Sequence, residues 1–284
     1  MPTILIPGIC LFLLTSFCCA ESVKLTTASN KIANAEYLQG SNNASPVLLL
    51  HSFMQTKEFT TVSHLATSLH DAGFTVLSPT LSLGINNRKQ SLSCEAIHTH
   101  SLDSDADELK QWINWLNNKT QKPITLIGHS SGGTVILKYM DDNHAELVQH
   151  SILISMTYYG SGPVASETPE LAKTAAKAIK HNSNPLGDYA LRYCKTYPTY
   201  ASAFLSYYNW NLEKTINVIT KFNDNVTLII GAADKRFDNS WLQRPDAKNS
   251  NIVTIEGASH FFDRVYELDL LDRVEELLAN TNGR

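Results

Sequence analysis

The run Ile124-Thr125-Leu126-Ile127 stops at Gly128-His129-Ser130-Ser131-Gly132-Gly133, and the apolar Val135, Ile136 and Leu137 follow. This pattern predicts a strand, a sharp turn and a buried helix, with a serine at the tip. A Gly-x-Ser-x-Gly turn of this kind holds its serine in a strained backbone and lifts the hydroxyl clear of a sheet. Side chains at Gly128 and Gly132 would collide where strand and helix pass closest. An unassisted serine hydroxyl is a poor nucleophile and needs a base, which in turn needs an orienting acid. Downstream, Val226-Thr227-Leu228-Ile229-Ile230 leads into Gly231-Ala232-Ala233-Asp234, and Asn251-Ile252-Val253-Thr254-Ile255 leads into Glu256-Gly257-Ala258-Ser259-His260. Ser130, Asp234 and His260 therefore stand in the order nucleophile, acid, base, each just past a strand. Upstream, Val47-Leu48-Leu49-Leu50 enters His51-Ser52-Phe53-Met54, where donors to an oxyanion are expected. The backbone N–H groups of Phe53 and Ser131 are the candidates for that role. Each feature alone has a bland reading as a turn serine, a turn aspartate or a loop histidine. Their joint order favours acyl-transfer chemistry.

The elements that must hold these residues alternate between strand and helix, which predicts a mostly parallel sheet covered on both faces. Residues 59–72 read as a helix and 74–77 as a strand. A helix begins near Ser101, with Asp103, Asp105, Asp107 and Glu108 crowding its positive end. Leu109, Trp112, Ile113 and Leu116 give it an apolar face. Residues 151–155 form a further strand, and Leu270, Val274, Leu277 and Leu278 mark a C-terminal helix. The stretch from about 157 to 224 is too long for a simple connection. It carries helix-like pattern over 169–181 and 188–194, and many aromatic residues, among them Tyr189, Tyr193, Tyr197, Phe204, Tyr207 and Trp210. Tyr207 and Trp210 are candidates for an apolar substrate wall; packing of the insertion on the main domain is the equal alternative.

The loop from about Ser82 to His100 leaves the carboxyl end of a strand, where α/β sites form. His98 is a candidate for substrate contact. With His100 and Glu95 it could also bind metal, but nothing else supplies ligands at a metal-site spacing, so no metal site is expected. Structural hydrogen bonding is the third reading of these residues. Arg88 and Lys89 could attract an anionic substrate, or serve solubility in an exposed loop.

The chain has 284 residues, 43% of them hydrophobic, and a net charge of −4. That suits a packed core and gives no sign of a nucleic-acid partner. Residues 3–19 are almost uncharged, too short for a comfortable membrane span, and followed at once by polar sequence. With Ala20 before Glu21 they predict a cleaved signal peptide over 1–20 and export to the periplasm or beyond, without a membrane span in the mature chain; an N-terminal anchor is the alternative. Cys94 and Cys194 then remain of five cysteines, which suggests one disulfide, against two unrelated buried thiols.

His51-Ser52-Phe53, Gly128-His129-Ser130-Ser131-Gly132-Gly133, Gly231-Ala232-Ala233-Asp234 and Gly257-Ala258-Ser259-His260 together resemble the α/β-hydrolases, from about residue 24 to the C-terminus. Relatives usually carry His-Gly where Ser52 stands, and many carry Asp at the position of Thr80. The run from Thr80 to His100 resembles a group of bacterial members, a likeness that brings no substrate with it. The resemblance implies an α/β-hydrolase fold over 21–284, with the insertion at 157–224 as a helical lid. It implies cleavage of a small carboxylic ester or thioester through an acyl-serine, without a cofactor. Amide or carbon–carbon bond hydrolysis stays open, as does a non-catalytic binding scaffold.

Overall fold

The computed structural model describes residues 20–142, 145–236, 240–244, 247 and 251–282. The proposed signal peptide, apart from Ala20, lies outside them. Among the described residues no helix is long and apolar enough to cross a membrane.

The chain opens with β1 (Glu21–Thr26) and β2 (Ile32–Leu38), then β3 (Val47–Leu50), α1 (Thr60–Asp71), β4 (Val76–Thr80), α2 (Leu102–Thr120), β5 (Ile124–His129), α3 (Ser131–Asp141) and β6 (Val148–Ile154). The insertion holds α4 (Thr168–Lys180), β7 (Leu186–Leu191), β8 (Cys194–Tyr200), α5 (Ala201–Tyr208) and α6 (Leu212–Lys221). The main domain resumes with β9 (Val226–Gly231), β10 (Asn251–Ile255) and α7 (Tyr266–Asn282). Eight strands make one sheet in the order β1-β2-β4-β3-β5-β6-β9-β10. The pairs β1–β2 and β2–β4 are antiparallel; from β4 to β10 every pair is parallel.

The central strands are apolar throughout because both faces are covered. Alternate residues feed opposite cores, as a period of two dictates. Leu48, Leu50, Leu126, Leu153 and Leu228 pack with Trp112 of α2 and Ile136 of α3. Val47, Leu49, Ile127, Ile152 and Ile229 pack with Leu65 of α1 and Val274 of α7. At the start of α2 the Ser101 and Ser104 side chains accept each other's backbone N–H, and Asp103 and Asp105 sit in the first turn.

The insertion departs from the expected helical lid. Residues 188–194, read as a helix, belong to the antiparallel pair β7–β8. From Tyr197 onward burial in β8 alternates, with Tyr197 and Thr199 buried and Pro198 and Tyr200 less so, a period of two rather than 3.6. The loop after β4 pairs with this hairpin: the His98 N–H donates to the Pro198 carbonyl at 2.8 Å, and Thr199 Oγ1 donates to the His98 carbonyl at 2.7 Å. A disulfide between Cys94 and Cys194, with Cα atoms 5.3 Å apart, joins the same two segments.

Candidate active site

β5 delivers Ser130 to the tip of the turn into α3. Its φ of 54° and ψ of −120° lie where only an over-determined residue is held. Its backbone N–H donates to the Ile154 carbonyl at 2.8 Å, which ties the turn to β6. A Cβ at Gly132 would come within 2.7 Å of the His51 carbonyl oxygen, and one at Gly128 within 2.6 Å of the Gly133 nitrogen. Glycine at both positions lets α3 lie against β5 and the loop after β3.

The ends of β9 and β10 bring the other two candidates together. His260 Nδ1 lies 2.7 Å from Asp234 Oδ2, and both side chains are almost wholly buried. Burial pushes the Asp234 carboxyl up, but the hydrogen bond to His260, its charge and the Arg236 N–H at 2.9 Å hold it below the ordinary carboxylate range. His129 stays structural: its Nε2 donates to the His260 carbonyl at 3.0 Å and its ring stacks on Phe59. Burial, with His260 beside it, lowers the His129 pKa to about 3, so the ring is neutral.

The loop after β3 has a staple that the sequence did not disclose. Arg88, read as an exposed loop charge, is 3% exposed. Its guanidinium donates to the carbonyls of Leu81 at 2.7 Å, Gln90 at 2.7 Å, Gln55 at 2.7 Å and Met54 at 3.4 Å. Five fixed donors make arginine suited to gather several carbonyls. His51 Nε2 accepts the Leu81 N–H at 3.0 Å; burial first, and the Arg88 charge second, lower its pKa to about 3. Met54, not Ser52, takes the positive φ in this loop, at 58°, so serine in place of the family's glycine meets no left-handed backbone.

A cavity of about 190 Å³ holds Ser130 and His260 together with Ser52, Phe53, Gln55, Phe59, Arg192, Tyr193, Arg236 and Phe261. Phe53 lies on it, and Ser131, the other oxyanion candidate, is the buried first residue of α3. Arg192 and Tyr193 form the turn between β7 and β8, and neither was a site candidate from the sequence. Arg192 is 1% exposed with φ of 63° and donates to Ser130 Oγ at 3.3 Å.

Tyr207, Trp210 and His98 are not among the lining residues. The Tyr207 hydroxyl donates to Asp105 Oδ2 at 2.6 Å and lies 2.6 Å from His100 Nδ1. The Tyr207 ring packs edge-on against Phe53, as do the rings of Tyr159 and Tyr193, while Tyr197 lies tilted on it. Trp210 is buried, with Lys214 5.5 Å from its ring centre. His98 stacks on Tyr197 at 4.0 Å and bonds the Cys94 carbonyl at 3.2 Å; burial, then His100, lowers its pKa to about 4. Tyr159, Tyr197 and Tyr207 of the insertion thus brace the Phe53 ring, while Tyr193 packs on it and also lines the cavity. Among the described residues no cluster of metal-type ligands occurs, and Glu95 is exposed.

No curated protein matches the sequence. Among solved structures, Est1E from Butyrivibrio proteoclasticus superposes with a TM-score of 0.65 at 16% identity, over 93% of this chain and 99% of that one. The α/β hydrolase GrgF from Penicillium sp. sh18 gives a TM-score of 0.68 at 14% identity, over 94% and 100%. A thioesterase domain from the curacin biosynthetic pathway gives 0.59 at 15%, over 92% and 99%. At these identities the likeness shows the fold. The model of the alpha/beta hydrolase family matches residues 47–267, from β3 to the start of α7, and the chain belongs to that family.

Proposed function

We propose that the protein is an exported serine hydrolase that cleaves a small carboxylic ester or thioester. The observation that carries the reading is one cavity holding Ser130, at the tip of a strained turn, and His260, whose far nitrogen is bound to Asp234 at 2.7 Å. Ser130 attacks the acyl carbon as His260 takes its proton; Asp234 fixes the ring's tautomer and stabilises the imidazolium. The backbone N–H groups of Ser131 and Phe53 receive the oxyanion. His260 then protonates the leaving alkoxide or thiolate, and water releases the acid from the acyl-serine by the same steps in reverse. An esterase from Pyrococcus furiosus and the curacin thioesterase domain, both structural neighbours, agree with this chemistry. The Cys94–Cys194 disulfide agrees with an oxidising compartment and hence with a signal peptide over 1–20.

A fluorophosphonate tests the reading by labelling an activated serine. Ser130 should be the labelled residue, and Ser130→Ala should fold normally yet lose hydrolysis of p-nitrophenyl acetate by at least about a thousandfold. A Ser130→Ala protein with wild-type esterase activity, or an unlabelled wild type, refutes the assignment and favours a binding scaffold.

A further inference from the structure

The hairpin β7–β8 ends in a two-residue turn, Arg192-Tyr193, whose side chains both reach the cavity around Ser130. Arg192 takes a φ of 63°. Left-handed backbone at the first position of such a turn suits glycine, asparagine or aspartate. Backbone of this kind is strained at other residues, and such strain collects where a side chain has to be aimed. Arg192 is aimed at the nucleophile: its Nη2 donates to Ser130 Oγ at 3.3 Å. Its surroundings hold that aim. Nη1 donates to the Tyr158 carbonyl at 3.3 Å, and the Tyr159 ring lies 5.2 Å from the guanidinium carbon. Next to it in the turn, the Tyr193 hydroxyl donates to the Phe53 carbonyl at 3.4 Å, and the Cys94–Cys194 disulfide anchors the strand that follows. Tyr159 also packs edge-on against Phe53, so one ring braces both the guanidinium and the loop that offers an oxyanion donor.

A hydrogen bond of 3.3 Å is loose. A guanidinium bound to a charged oxygen comes to about 2.7–2.9 Å. The contact is therefore weak while the serine is a neutral alcohol and strengthens when charge arises on Oγ. Interactions that are stronger in the transition state than in the resting enzyme are the ones that raise kcat. Ser130 is buried, so little water screens the pair.

We propose that Arg192 is a further catalytic residue, which stabilises negative charge on Ser130 Oγ as that oxygen attacks the acyl carbon and again as it leaves. The assignment rests on the hydrolase reading. In acylation the hydroxyl proton passes to His260, the bond from Oγ to the acyl carbon forms, and the carbonyl electron pair moves onto the oxyanion. Arg192 meets the charge that Oγ carries before bonding is complete. In deacylation a proton of water passes to His260, the water oxygen bonds the acyl carbon, and the bond to Oγ breaks. Arg192 then holds the departing alkoxide until His260 returns the proton. The guanidinium gives up no proton in either step and stays charged throughout. Since Oγ is common to every substrate, the contribution does not depend on the acyl group. The hairpin of the insertion thereby completes the catalytic machinery as well as covering it.

Arg192→Gly is the informative variant, because glycine suits the left-handed turn and relieves its strain. Its melting temperature should stay close to that of the wild type. Its kcat for p-nitrophenyl acetate should fall about a hundredfold or more, the range for loss of one preorganised donor, with KM changed by less than about threefold. The rate of fluorophosphonate labelling at Ser130 should fall with it, and p-nitrophenyl butyrate should show the same factor as the acetate. Methylguanidinium added to Arg192→Gly should restore part of the lost rate in proportion to its concentration, whereas tetramethylammonium should not. Arg192→Met keeps the side-chain volume without the charge and should show the same loss of kcat. Wild-type kcat and labelling rate in either variant overturn the proposal, as does a loss confined to KM or to one acyl chain. Loss of activity that tracks a lost thermal transition in both variants gives the arginine to structure and overturns it equally. A wild type labelled at Ser130 whose Arg192 variants match it sinks this assignment alone. A wild type that is neither labelled nor able to cleave either ester sinks the hydrolase reading and this assignment with it.

Discussion

At the scale of single residues, the support behind the Phe53 loop matters as much as the groups facing substrate. Arg88 gathers four carbonyls from the loops after β3 and β4, and lysine has neither the fork nor the number of donors to do so. Arg88→Lys should therefore cost about 3 kcal/mol or more and lower kcat more than it raises KM, because the oxyanion donors lose their position. Thermal melting with steady-state kinetics on p-nitrophenyl acetate checks this; a variant with wild-type melting and kcat would show the staple to be idle. Tyr207 makes a different expectation. Its hydroxyl binds Asp105 away from the cavity, so Tyr207→Phe should cost about 1–3 kcal/mol and reduce activity by one factor for every acyl chain length. A selective change in chain-length preference would return Tyr207 to the pocket wall.

Among the elements, legibility followed burial. β3, β5 and β9 announce themselves as short apolar runs because both faces are covered, and the serine and histidine that line one cavity, with the aspartate bound to that histidine, could be placed at strand ends in order. The hairpin β7–β8 was misread over 188–194 because its alternation is masked by tyrosines on both faces and only contact with the loop after β4 selects strand. Arg88 and Arg192 were illegible for a related reason: nothing in local sequence tells a buried arginine from a solvated one, since tertiary packing decides. The hairpin also makes a prediction. Cys194 is two residues from Arg192, so the disulfide anchors the turn that carries it. Titrating with reductant should lower kcat/KM several-fold before the thermal transition of the sheet is lost, because the doubly covered core does not depend on the bond. Activity and melting temperature followed together at rising dithiothreitol decide it; simultaneous loss would mean that the insertion and core unfold as one.

For the whole molecule, the balance of buried ionisable groups sets the response to acid. His51 and His129 have pKa values of about 3 in the fold and His98 of about 4, against about 6.5 in an unfolded chain. They contribute stability above pH 6.5 that is lost as pH falls toward 3. Glu108 opposes them: burial raises its carboxyl to about 7 despite the Ser82 N–H at 2.8 Å, so it contributes stability below its unfolded value of about 4.3 that is lost as pH rises through 7. Between pH 6.5 and 4.5 three protons gained by the unfolded histidines face one held by the folded glutamate. Stability should fall by on the order of 2 kcal/mol per pH unit over that range. Denaturant unfolding at pH 7, 6 and 5 measures it, and a flat or rising profile would contradict neutral buried imidazoles.

The disulfide also gives the chain a topology that outlasts its fold. Cys94 and Cys194 are 100 residues apart and close a covalent ring containing α2, β5, Ser130, α3 and the first half of the insertion, while Asp234 and His260 hang on the open tail. Stretched by its two ends, the oxidised chain withholds the contour of that ring, about 350 Å of extension at full length. A single cut inside the ring leaves one covalent molecule, whereas a cut between residues 194 and 234 separates Ser130 from Asp234 and His260.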